Sequence, residues 1–201
     1  MTLNIDAATK KVQLARGFTV GDYLTAVDEK NRNAIASGIH RRFTERYLDP
    51  VSKPATGLHG FTIMAISCLM IEALESFRRG WPDTSQRGHG EQAFCSFFDA
   101  HSDFSLFRGH VRDFYKGVRC GILHQAETAL GWRIGRKGAL FNIHDGARVI
   151  NADKFAAALG VALDSYRDQL TVAAWDDEVW VSLRKKMERV CANCLPQKGV
   201  V

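Results

Sequence analysis

Two side chains near the middle of the chain, Arg119 and His124, are of types that can do chemistry together. An imidazole titrates near neutrality and so can take or give a proton, and a guanidinium is a permanent cation whose fork of donors fits an oxyanion. They stand in the stretch Asp113-Phe-Tyr-Lys-Gly-Val-Arg119-Cys-Gly-Ile-Leu-His124-Gln-Ala-Glu127, with four residues between them. On a straight α-helix that spacing separates the pair by roughly 140° around the axis and about 7.5 Å along it, so they do not share a face. Gly121, a weak helix residue, sits between them, and a bend or an early helix end there is what a joint role within one chain requires. The alternative is structural: Arg119 pairs with a carboxylate and His124 bonds locally at a helix end, where cations are favourable in any case.

The elements that must position this pair are mostly helical. Apolar residues three or four apart mark a helix over 24–47, and the run from Phe61 to Ile71 makes 58–79 the most buried helix, stopped by Gly80-Trp81-Pro82. A short aromatic helix covers 91–98. A longer one covers 104–127 on the stripe Phe104, Phe107, Val111, Phe114, Val118, Ile122 and Leu123, which predicts a buried Leu123. The period then changes to alternation over 131–150, with Gly135-Arg136-Lys137-Gly138 and His144-Asp145-Gly146 as turns, which predicts a small β-hairpin or meander. Helices follow over 151–174, capped by Asn151 or Asp153, and over 177–194. The fold class is mainly α, one helical bundle over 1–201 with a β-insertion near 131–150.

Composition narrows the function classes. The 201 residues are 46% hydrophobic and 24% charged, the profile of one ordinary globular domain, and a net charge of +5 permits a polyanionic partner without demanding one. Five cysteines, an odd number partly inside apolar stretches, argue for a reducing compartment. Met1 to Lys11 lacks the apolar core of a signal peptide, and the strongest apolar run is about half a membrane span, so a cytoplasmic protein without a membrane partner is expected. Cys191-x2-Cys194 has zinc spacing but no second ligand pair, and the other histidines are dispersed, so neither metal nor cofactor is expected. No phosphate-loop, dinucleotide or nucleophile-elbow motif is present. The cluster Phe94, Phe97, Phe98, Phe104 and Phe107 has helical spacing, which favours core or dimer interface over base stacking.

The stretch around Arg119 and His124 resembles the signature of the HEPN superfamily, an arginine four to six residues before a histidine near the end of a bundle helix. The resemblance implies a HEPN-like helical bundle and a metal-independent endoribonuclease in which two copies bring their motifs to one groove. It implies that the substrate 2′-hydroxyl attacks the adjacent phosphodiester, with His124 moving the proton and Arg119 steadying the phosphoryl charge. The partners it implies are RNA, a second copy of the chain and, for a toxin or effector of bacterial stress or phage defence, an antitoxin or other protein. Its other outcome is a non-catalytic module that binds a nucleotide, RNA or protein. The position after the arginine, polar in many active relatives, is Cys120 here; Lys116, Tyr115 and Gln125 are the neighbours able to fill that role, and Glu127 to orient the imidazole.

Overall fold

The computed structural model describes residues 5–52, 59–86 and 88–196. The chain is mainly helical, with two small sheets. It forms two compact units, one of residues 5–45, 76–82 and 164–196, the other of 46–52, 59–75, 83–86 and 88–163.

The first unit begins with elements too short to leave a periodic trace: helix α1 (Ala7–Lys10) and a hairpin of β1 (Gln13–Ala15) and β2 (Phe18–Thr19) turning at Gly17, φ +65°. Helix α2 (Val20–Asp28) starts with a capping box between Thr19 and Asp22, which satisfies backbone donors at its N-terminus. The helix expected over 24–47 is therefore broken. Lys30 takes φ +50°, and Asn31 caps α3 (Arg32–Phe43) by accepting from the Ala34 amide at 3.1 Å. Polar Asp28-Glu29-Lys30-Asn31 supply a stop and a cap within a stripe whose apolar spacing alone reads as continuous. Later come α9 (Ala152–Val172), which enters this unit from residue 164, and α10 (Glu178–Ala192), near the expected 151–174 and 177–194, and Trp180 of α10 is fully buried with its indole N–H donated to the Leu170 carbonyl at 3.1 Å.

In the second unit a π turn over Thr44–Leu48 leads into α4 (Asp49–Ser52). The loop read at 52–57 otherwise lies outside the described residues, as does Leu58 at the start of the helix read at 58–79. Helix α5 (Gly60–Arg79) ends where Gly80 adopts φ +64°. By length and mean hydropathy, 1.5, α5 passes as a membrane span, but 67% of that window is buried within the protein, as in a core helix. Helix α6 (His89–Ala100) is longer than the expected 91–98. The single helix read over 104–127 is instead four segments in line: a 3₁₀ stretch Ser102–His110, α7 (Val111–Phe114), a π turn Tyr115–Cys120 and α8 (Gly121–Gln125). Ala126 closes it at φ +55°.

Strands β3 (Trp132–Gly135), β4 (Phe141–His144) and β5 (Ala147–Asn151) form a sheet in the order β3-β5-β4. Asp145 and Gly146, both at positive φ, turn the antiparallel β4-β5 hairpin, whereas β3 pairs parallel with β5, so a hairpin is present and a meander is not. Asn151 caps α9, accepting from the Lys154 amide at 3.1 Å.

The core of this unit is aromatic. Phe94, Phe97, Phe98, Phe104, Phe107, Phe114 and Phe155 are all at 0% exposure, which settles the phenylalanine cluster as core. Phe114 lies 5.1 Å from Phe98, 5.7 Å from Phe107 and from Phe155, and 5.5 Å from Trp132. By contrast Leu123 is 51% exposed, because the helical run extends past this aromatic layer. Replacing Phe114 with Ala is therefore expected to cost about 3 to 5 kcal/mol. Leu123→Ala should stay within about 0.5 kcal/mol, and urea denaturation of the two variants checks both values.

Candidate functional site

Arg119 lies in the π turn. The turn closes from residue i to i+5, which brings Arg119 closer to the angular position of Phe114 than an α-helix would, and Arg119 faces α5. There its Nε donates to Glu72 Oε1 at 2.7 Å, and Thr84 Oγ1 donates to the other carboxylate oxygen at 2.7 Å. The guanidinium carbon also sits 5.5 Å from the Tyr115 ring centre. The side chains of Arg119 and Glu72 are 18% and 9% exposed, too buried for an ordinary surface pair. Burial works against the charge of Arg119, but the hydrogen bond and negative charge of Glu72 outweigh it and hold the guanidinium more firmly protonated than usual. Burial first, then the charge of Glu72, push the Cys68 thiol up.

The departure from a straight helix thus exists, but not at Gly121, and it turns Arg119 toward α5. Gly117 and Gly121 serve the chain that follows instead. The Ala129 amide donates to the Gly117 carbonyl at 2.8 Å, and a Cβ on Gly117 would come within 2.6 Å of the Ala129 carbonyl oxygen. A Cβ on Gly121 would come within 2.5 Å of the Glu127 carbonyl oxygen. One helix face bare of side chains lets residues 127–132 fold back and seat Trp132 in the aromatic core.

His124 is on α8, exposed, and its ring has no hydrogen bond or ion pair with the described residues. Arg119 is committed to Glu72, so within one chain the pair is not engaged. Lys116 and Gln125 are exposed. Tyr115 is half-buried against Phe94, 5.6 Å between ring centres, and supports Arg119 from below. Glu127 does not orient His124: its Oε1 accepts from the Thr128 amide at 2.8 Å, closing its own turn.

Beside Arg119 is a depression of about 10 Å³, lined by Ala65, Cys68, Leu69, Ile122 and Leu123. That is room for about one water. Its rim is apolar and open, with Leu69 at 43% and Leu123 at 51% exposure. A larger cleft of about 320 Å³ lies between Leu48 and Val51 on one side and Ala156, Ala157 and Gly160 on the other, and no motif residue lines it. Its one acid, Asp153, is already bound by Arg136 at 2.9 Å. Among the described residues no three His, Cys, Asp or Glu side chains converge as metal ligands.

Sequence reasoning missed Glu72 and Thr84. The signal for Glu72 was present, since a carboxylate inside the most apolar helix cannot remain unpaired. Thr84, in a polar loop, left none. No protein-family model, curated protein or solved structure matches the chain.

The bare glycine face gives a direct test of this local geometry. Gly117→Ala forces the Ala129 carbonyl to move and is expected to destabilise the fold by about 1 to 3 kcal/mol, read as a lower urea midpoint. Gly131→Ala, whose Cβ would meet nothing within 4 Å but whose φ is +74°, should cost about 1 kcal/mol from backbone strain alone.

Proposed function

We propose that the chain is a metal-independent endoribonuclease of the HEPN type that acts as a homodimer. The observation that carries this reading is an arginine fixed in a π turn by a buried carboxylate, five residues before an exposed histidine at the end of the same helical run. Unusual turns of this kind recur at functional sites. In the proposed reaction the RNA 2′-oxygen bonds to the adjacent phosphorus and the bond to the 5′-oxygen breaks, leaving a 2′,3′-cyclic phosphate and a 5′-hydroxyl. A His124 imidazole takes the 2′-hydroxyl proton or returns one to the leaving oxygen, and Arg119 offers its remaining donors to the phosphoryl oxygens.

A second copy supplies what one chain lacks. The depression at Arg119 is too small for a nucleotide, and its apolar rim, including Leu69 and Leu123, is the kind of surface a symmetric contact covers. Two copies meeting there would place two Arg119-His124 pairs along one groove, held to RNA by salt-sensitive phosphate contacts. The five free cysteines fit a reducing, cytoplasmic setting. A role as toxin or effector, with an antitoxin or other protein partner, belongs to the same proposal.

The second reading is a non-catalytic module binding a nucleotide, RNA or protein through this surface. It is favoured by the commitment of Arg119 to Glu72 and by Cys120 at the position after it. The two separate on activity. Cleavage of single-stranded RNA should survive EDTA and fall about 10² to 10⁴-fold in folded His124→Ala and in Arg119→Ala. Binding without cleavage in the wild type selects the module. Light scattering should give a dimer at micromolar concentration, and Leu69→Lys with Leu123→Lys should give a folded monomer; a wild-type monomer removes the composite groove.

A further inference from the structure

We infer that Glu72 is a positioning residue that fixes how Arg119 presents its guanidinium to an anion, and that Thr84 in turn fixes Glu72. The inference takes its reaction from the ribonuclease proposal, but its geometry does not depend on it. A guanidinium has five donors in one plane. Glu72 engages a single one of them, Nε, at 2.7 Å. The guanidinium carbon lies over the Tyr115 ring, 5.5 Å from its centre. Fixed at one edge and flanked by that ring, the group has little rotational freedom, and Arg119 lines the open depression together with Leu69 and Leu123. A carboxylate meant only to neutralise Arg119 would take both parallel donors of the fork, as Asp153 does with Arg136 through Nε and a terminal nitrogen, each at 2.9 Å.

Glu72 is 7% exposed within the apolar middle of α5, and among the described residues its second oxygen accepts from Thr84 alone, a residue outside any helix. The three side chains form a relay from the 81–86 segment through a buried carboxylate to the arginine. An arginine held this way has lost its rotamer freedom before substrate arrives, which is where positioning lowers a barrier.

A purely structural ion pair makes a different forecast. Steady-state cleavage of single-stranded RNA should show kcat down about 10²-fold in Glu72→Ala with KM little changed, partial recovery in Glu72→Gln, which keeps an acceptor for Nε, and a smaller kcat loss in Thr84→Val. Thr84→Val spares both charges and keeps the test open should Glu72→Ala not fold. Folded variants with wild-type kcat and only a lower melting temperature overturn the inference. The Arg119 Nε–H resonance, assigned by its loss in Arg119→Lys, reads the same point without activity. It should be protected from exchange in the wild type and shift on titration with inorganic phosphate, and lose both properties in Glu72→Ala or weaken in Thr84→Val. If the wild type cleaves no RNA, the ribonuclease proposal fails and this resonance alone decides: a signal blind to phosphate in the wild type, or unchanged in the variants, overturns the role of Glu72.

Discussion

The candidate site depends on one packed side chain, Phe114. Its ring meets Phe94, Phe98, Phe107, Trp132 and Phe155, rings drawn from α6, the 3₁₀ stretch, β3 and α9. Edge-to-face and stacked aromatic pairs add orientation to the burial of a large apolar area. A helix pinned at Phe114 cannot rotate, so the π turn that begins at the next residue has a fixed origin, and the direction of Arg119 follows from it. The aromatic core thus sets the rotation of a polar residue farther along the same run.

From that origin two polar devices branch in opposite senses. Inward, Arg119 and the buried Glu72 form a pair only partly open to solvent, in which removing Arg119 strands a buried carboxylate. Outward, α8 carries His124 and Leu123 beyond the core to the surface. One helical run thus holds a paired charge on its inner side and carries an exposed imidazole on its outer side.

Much of this was legible in the sequence, and its limits are physical. Periodicity located α5, α6, α9 and α10, and the Asp145-Gly146 dipeptide located the β4-β5 turn, because each is a local pattern. The division of 24–47 depended on Asn31 acting as a cap within a continuous stripe, which apolar spacing alone does not register. The parallel pairing of β3 with β5 is a non-local choice that alternation cannot encode. For the site, the types and spacing of Arg119 and His124 were visible, and so was the need for a local departure from helical geometry. Its kind was not: a π turn has no residue signature comparable to a glycine or proline, and Gly121, chosen for backbone freedom, is used for close packing. Leu123 followed the stripe in sequence and left the core in space, since a stripe says which face is apolar and not how far the neighbouring layer extends.

The glycines flanking the arginine carry a consequence for kinship. Because Gly117 and Gly121 each lie against backbone oxygens of the returning chain, any descendant that keeps this fold keeps small residues two places before and two places after the arginine. The arginine and its packing neighbours are therefore inherited as one word, Gly-x-Arg-x-Gly, in which the glycines record architecture. A lineage that loses Arg119 has to replace or re-pair the buried Glu72 as well, yet with both glycines retained it would stay recognisable by the frame around a missing letter.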